Sequence, residues 1–174
     1  MTHDELAAMV RTLADRQALK DLIYRYCRAM DRCDAELGYS LWHDDSRADY
    51  GSLFRGSGRD FIDFALRLHR ETFITHSHQI TNIGMTLDGD RAVSESYVTT
   101  ALRYRNGEQL VQTTGRGRYL DRWSRRSGRW ALDERRYVHD LDDTRGIDAW
   151  MAEGEGRRDV SDASYDYLLP KDFS

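Results

Sequence analysis

Two short stretches of the sequence hold the side chains best suited to acid–base chemistry. The first, Tyr26-Cys-Arg-Ala-Met-Asp31, puts a carboxylate at the end of an apolar helical pattern. The second, Thr75-His-Ser-His78-Gln-Ile-Thr-Asn82, puts two imidazoles where a run of strands begins. An Asp–His pair enclosed by apolar side chains can remove a proton from carbon without a cofactor. The spacing therefore predicts a cofactor-free proton-abstraction site, provided that folding brings the two stretches together.

Asp31 has two interpretations. A charged residue at the end of a helix is common and needs no function. However, an acid near a helix C-terminus is disfavoured by ~0.3–1 kcal/mol because of the helix dipole. With about 100° of rotation per residue, Tyr24, Cys27 and Asp31 share one edge of the helix. Asp31 therefore borders the apolar stripe, and the residues alone leave both interpretations open.

His76 and His78 are two residues apart, so both point to the same face of a strand. Either could be a satisfied polar residue at the start of that strand, and a His-x-His metal pair is the other alternative. No nearby acidic residue or histidine completes a convincing ligand set, so we expect no metal. Either His78 or His76 could therefore be the base, and the residues alone leave this choice open.

The elements that must position these residues follow a helix-then-strand order. Apolar spacing predicts a long helix over residues 13–31, with Asp15 as a candidate cap at its start. A shorter helix over 34–43, a short strand from Ala48 and a third helix after Gly56-Ser57-Gly58 are predicted to follow. Four strands follow, over residues 76–87, 91–105, 108–123 and 129–139, with Asn106-Gly107 as a hairpin signal. Consecutive strands after helices predict an α+β fold, in which a curved sheet wraps the long helix and encloses a pocket.

Residues 1–140 are expected to form one domain and residues 141–174 an extension. Six apolar residues of the extension are expected to pack on the domain or on a neighbouring subunit: Trp150, Met151, Tyr165, Tyr167, Leu168 and Leu169. The net charge of -4 speaks against a nucleic-acid partner. The absence of a membrane-length apolar run and of a signal-peptide pattern predicts a cytoplasmic protein that binds no membrane.

The pattern Tyr-x4-Asp in a helix, His-x3-Asn opening a strand, and Gly-x-Trp marking the last strand resembles the SnoaL-like branch of the NTF2-like (cystatin-like cone) superfamily. The similarity covers roughly residues 10–140 and is greatest to dehydrochlorinases, dehydratases and bile-acid dehydratases. The resemblance implies a cone-shaped α+β barrel, with three N-terminal helices on a curved, mostly antiparallel sheet. It also implies that Asp31 and His78 form a catalytic dyad, assisted by Arg135 and Tyr26.

Arg135 and Arg136 must point to opposite faces of their strand. Strict alternation from the core candidate Trp130 puts Arg136 on the inner face. The family spacing favours Arg135 instead. Both arguments hold together only if the strand contains a bulge or a bend.

The resemblance implies a cofactor-independent lyase or dehydratase acting on a small hydrophobic cyclic or aromatic substrate. Alternatives on the same scaffold are an aldehyde-releasing carbon–carbon lyase, an isomerase, and a noncatalytic ligand-binding module or small subunit of a ring-hydroxylating dioxygenase. A homo-oligomer is expected, a trimer or alternatively a dimer. The residues predicted to contact the substrate are Trp42, Tyr50, Phe54, His76, Tyr97 and Tyr119.

Overall fold

The computed structural model describes residues 1–151 and 154–168. In chain order the elements are α1 (His3–Arg32), α2 (Ala35–Ser40), β1 (Trp42–Asp49), β2 (Arg55–Ser57), α3 (Gly58–Thr72), β3 (Thr75–Asp88), β4 (Arg91–Asn106), β5 (Gln109–Arg126), β6 (Arg129–Gly146), a 3-10 turn (Ala149–Met151) and α4 (Ala163–Leu168). The six strands form one curved sheet in the order β2-β1-β6-β5-β4-β3. Every neighbouring pair is antiparallel except β1 and β6.

The predicted α+β architecture is confirmed, with the first three helices packed against the sheet. The sheet is open, and β2 and β3 are its edges. Helix α1 packs against β3, and α3 packs against β1. The core lies between these helices and the concave face of the sheet.

Helix α1 is longer than the apolar pattern predicted. It begins at His3, because Thr2 caps its start: the Thr2 side chain accepts a bond from the Glu5 backbone, and the Glu5 carboxylate accepts one from the Thr2 backbone. The expected cap, Asp15, lies inside the helix and pairs instead with Arg125 at 2.6 Å. The prediction missed the first turns because their apolar residues remain exposed and show no buried stripe.

Strand β6 continues to Gly146 and so extends past residue 139, where the predicted strand ended. The predicted start of the C-terminal extension, residue 141, falls within this strand. Of the apolar residues beyond it, Tyr165 contacts α1, whereas Trp150 and Tyr167 are exposed in the single chain. Leu169 and the side chains of Met151 and Leu168 lie outside the described residues. A subunit that covers this region stays a prediction.

Among the residues that the structure describes, no helix combines the length and apolarity needed to cross a membrane.

Glycine is required where α3 begins. Ser57 caps the helix by accepting a bond from the Asp60 backbone, and Gly58 is the first helical residue. A Cβ at Gly58 would overlap the indole ring of Trp42 and lie 2.6 Å from the Ser46 hydroxyl. Trp42 and Ser46 are both buried, so neither can move into solvent.

We expect Gly58→Ala to lower the free energy of unfolding by about 1–3 kcal/mol, because the added methyl group overpacks a filled core. Urea denaturation followed by tryptophan fluorescence measures the change. Gly84→Ala is the matched control, since a Cβ there meets nothing within 4 Å. Equal unfolding midpoints for the two variants would contradict this account of Gly58.

Candidate active site

Folding brings Asp31 and His78 into direct contact. The Asp31 carboxylate accepts two bonds from His78, one from the ring Nδ1 at 2.7 Å and one from the backbone N–H at 3.0 Å. Both side chains are largely buried. These bonds tie the last turn of α1 to the start of β3, and they offset the unfavourable position of an acid near a helix C-terminus.

The contact also fixes the form of the imidazole. An ionised carboxylate only accepts hydrogen bonds, so Nδ1 of His78 must carry the hydrogen. The lone pair is then on Nε2. Within the described residues, Nε2 accepts no hydrogen bond, so this nitrogen can act as a base. The arrangement is that of an oriented imidazole with a carboxylate behind it.

The dyad opens onto a pocket of about 490 Å³ between α1, β3 and the C-terminal residues. Asp31 and His78 form part of its wall together with Tyr24, Cys27, Arg28, Arg32, Ile80, Asp162 and Ser164. The wall combines apolar and charged groups.

His76, the alternative base, lies beside the dyad in a different role. It is buried, and its Nε2 donates a hydrogen bond of 2.9 Å to the Met30 carbonyl. Its Nδ1 is buried without a partner, and His76 does not line the pocket. Burial lowers the pKa of His76, which keeps the ring neutral. The geometry therefore favours His78 over His76 as the base.

A third histidine, His69, completes a cluster that the sequence interpretation missed. Its ring centroid is 4.4 Å from that of His76 and 5.7 Å from that of His78. Burial, with a contribution from His76, lowers the pKa of His69 to about 2. The available signal was its spacing, since His69 follows Ala65 by four residues and thus continues the buried stripe of α3. Within residues 1–151 and 154–168, no group of three or more His, Cys, Asp or Glu side chains is arranged to hold a metal ion.

Arg135 and Tyr26, the other predicted catalytic residues, form a separate pair in the interior. The Arg135 guanidinium lies between the rings of Tyr26 and Tyr119, with its carbon 4.1 Å from each ring centroid. Its Nε and Nη2 bind the two carboxylate oxygens of Asp121 at 2.7 and 2.8 Å. Tyr26 in turn shares a hydrogen bond of 2.8 Å with the Tyr50 hydroxyl.

This interior group is fully enclosed. Arg135 has no exposed surface, and its Nη1 has no partner among the described residues. Burial by itself would lower the pKa of Arg135, but the charge and hydrogen bonds of Asp121 raise it well above its ordinary value. The guanidinium is therefore charged, and burial raises the pKa of Tyr26, so its hydroxyl is protonated.

Cys27 lies between the interior group and the dyad. It lines the pocket, and it is largely buried. Burial raises the pKa of its thiol to about 12, with Arg135 opposing the shift and Asp31 adding to it. The four predicted catalytic residues thus form two pairs: Asp31–His78 at the pocket, and Tyr26–Arg135 behind Cys27.

A bulge in β6 explains why Arg135, and not Arg136, points inward. Leu132 pairs with Trp123 and Glu134 pairs with Arg122, so Asp133 has no opposite residue on β5. The extra residue reverses the alternation. Trp130 and Arg135 therefore both face the interior, although they are an odd number of residues apart, and Arg136 is exposed.

The predicted substrate-contacting residues are distributed differently from the expectation. Trp42 and Tyr119 are buried in the core, whereas Tyr50 stacks on Phe61 and Phe54 meets the same ring edge-on. None of these residues lines the pocket beside the dyad.

Tyr97 lies on the other face of the sheet and is 43% exposed. The reason is alternation, since its neighbours Ser96 and Val98 both point inward. The pocket-facing residues Arg28, Asp162 and Ser164 were not identified from the sequence, because the contact between α1 and the C-terminal residues has no local sequence signal.

Several solved structures have the same fold. A predicted scytalone dehydratase from Novosphingobium aromaticivorans superposes with a TM-score of 0.68 at 22% identity, over 84% of this chain and 96% of that one. The hexachlorocyclohexane dehydrochlorinase LinA-type3 from Novosphingobium barchaimii has a TM-score of 0.66 at 19% identity, over 80% and 94% of the two chains. An NTF2-like protein with a cystatin-like fold, also from N. aromaticivorans, has a TM-score of 0.62 at 21% identity, over 79% and 90%.

At these identities the superpositions show the fold alone. No curated protein matches the chain at a significant level. The model of the SnoaL-like domain family matches residues 11–136, which contain most of α1, the whole dyad and Arg135. Since this match spans most of the chain, the protein belongs to the SnoaL-like domain family.

Proposed function

We propose that the protein is a cofactor-independent lyase of the dehydratase or dehydrochlorinase type, which acts on a small hydrophobic cyclic or aromatic substrate. The contact between Asp31 and His78 carries the proposal, because it leaves an oriented lone pair on His78 beside a pocket. The dehydratase and dehydrochlorinase among the proteins of the same fold support a scaffold of this type.

In the proposed reaction, Nε2 of His78 removes a proton from a carbon next to the one that bears the leaving group. The electrons of that C–H bond form the new carbon–carbon double bond. The leaving group departs with the electrons of its own bond, either as halide or as hydroxide, which takes the proton from the His78 imidazolium and leaves as water. Asp31 keeps the imidazole in the required tautomer and stabilises the imidazolium that forms.

For Arg135 we propose a positioning role. Its Nε and Nη2 already bind the Asp121 carboxylate, and the two faces of its guanidinium are covered by the rings of Tyr26 and Tyr119. Arg135 would hold Tyr26, and with it the α1 wall around Cys27, in place behind the dyad.

We expect His78→Ala and Asp31→Asn to lower turnover by ~10²–10⁴-fold, because each removes the oriented base. The measurement is product formation from a panel of chlorinated cyclohexanes and hydroxylated aromatic ketones, followed by mass spectrometry. His139→Ala is the matched control, since His139 is an exposed histidine on β6, outside the pocket. Turnover by His78→Ala at the wild-type rate would exclude the dyad as the catalytic group.

We expect Arg135→Met to lower the free energy of unfolding by about 3–5 kcal/mol, because it leaves the Asp121 carboxylate buried without a counter-charge. Arg135→Met combined with Asp121→Leu should recover most of this loss, since the pair is then replaced by apolar groups. Urea denaturation of the two variants and the wild type tests both expectations.

The same double variant tests the role of Arg135. If Arg135 only positions other groups, the refolded double variant should keep measurable turnover. A double variant with wild-type stability and no detectable turnover would instead assign Arg135 to the chemistry.

A further inference from the structure

The C-terminal segment, residues 154–168, closes one side of the pocket that contains the dyad. Asp162 pairs with Arg32 at 2.5 Å and accepts a bond from the Arg157 backbone at 2.8 Å. The Tyr165 hydroxyl donates to Asp34 at 3.1 Å. Each carboxylate that fixes this segment therefore already has its own partner.

Arg28 lies where this segment meets the pocket. Its Nη1 donates a bond of 3.0 Å to the Ser164 hydroxyl, and its guanidinium carbon lies 5.0 Å from the Tyr165 ring centroid. Neither partner carries a negative charge. Within the part of the chain that the structure describes, Arg28 forms no ion pair, and its Nε and Nη2 donate to no acceptor.

Two other arginines of the same chain show what this pair of nitrogens normally binds. Arg135 uses Nε and Nη2 to hold both oxygens of Asp121. Arg118 uses the same two nitrogens to hold Asp140. This edge of a guanidinium matches the two oxygens of a carboxylate or phosphate group. At Arg28 the corresponding edge has no anion, although the side chain is half-buried in a pocket wall.

Arg28 is also close to the reacting group. It precedes Asp31 by three residues on α1, so the two side chains share a face of the helix, about 4.5 Å apart along its axis. A ligand anchored at Arg28 would thus extend along the pocket toward the dyad.

We propose that Arg28 binds an anionic group of the substrate, a carboxylate or a phosphate, and so holds the reacting carbon beside His78. The role of Arg28 in catalysis rests on the proposed function, whereas its binding of an anion does not. The inference narrows the substrate class to hydrophobic molecules that carry an acid group. Ser164 supports the guanidinium through Nη1, which leaves the opposite edge for the ligand.

Binding of three small probes to the full-length protein tests the proposal. Benzoate carries the anion, benzamide is its neutral counterpart, and phenyl phosphate is the alternative anion. We expect the wild type to bind benzoate about tenfold or more tightly than benzamide, because a hydrogen bond to a charged group is stronger than one to a neutral group. Isothermal titration calorimetry, or ligand-observed NMR for weak binding, gives the dissociation constants.

Arg28→Gln should remove the preference for benzoate and leave the affinity for benzamide unchanged. Arg25→Gln is the matched control, because it removes the same charge from an exposed position on α1 outside the pocket wall, and it should keep the preference. Arg28→Lys should bind benzoate with intermediate affinity, since it keeps the charge but not the two-nitrogen edge. This variant also serves if Arg28→Gln fails to fold.

Equal binding of benzoate and benzamide by the wild type would overturn the proposal, as would a preference that survives in Arg28→Gln. Tighter binding of phenyl phosphate than of benzoate, lost in Arg28→Gln, would support it with a phosphate as the natural group. The probes have no leaving group, so the result does not depend on turnover. Arg28-dependent binding in a protein that proves inactive would reject the lyase and retain the anion site.

Discussion

A guanidinium that is cut off from water must have an anion beside it, and the interior of this protein is arranged around that requirement. Arg135 has no exposed surface, and Asp121 on the neighbouring strand supplies the counter-charge through two bonds. The aromatic rings on either side contribute favourable contacts with the cation and exclude water. Because one of these rings belongs to Tyr26 on α1, the ion pair in the sheet also determines where the helix can lie. The position of the dyad at the end of α1 depends on this contact.

The site consequently has two layers with different exposure. The outer layer is the Asp31–His78 pair, which faces the pocket and for which proton abstraction is the proposed role. The inner layer is the ion pair with its tyrosines, which is closed and charged. Cys27 separates them, and its raised pKa keeps it a neutral thiol in the wall. Under the proposed function, such a division would let the outer layer exchange ligands while the inner layer keeps the geometry constant.

Much of this could be predicted from the sequence, for reasons that are local. The order of helices and strands gives the fold class, and the apolar stripe of α1 places Asp31 at its border. The pairing of Asp31 with His78 was predicted from the family resemblance. The contacts that the sequence did not reveal are those between distant segments. Strand alternation does not indicate that the Asp121 carboxylate accepts two hydrogen bonds from Arg135, or that Ser164 accepts one from Arg28. The burial of His69 could have been predicted, because its spacing continues the buried stripe of α3. That spacing does not indicate which residues of other elements surround it.

Asp133, which has no opposite residue on β5, limits which mutations this chain can accept. A substitution at Arg135 alters one side chain, whereas loss of Asp133 would remove the bulge and turn every later side chain of β6 to the other face. Arg136 would then enter the interior, and Tyr137 would leave its stacking contact with Tyr50. A single-codon deletion at this point is therefore expected to displace more side chains than a substitution at Arg135. Among homologues, the length of the segment between Trp130 and the inward-facing arginine should vary less than the identity of the residues within it.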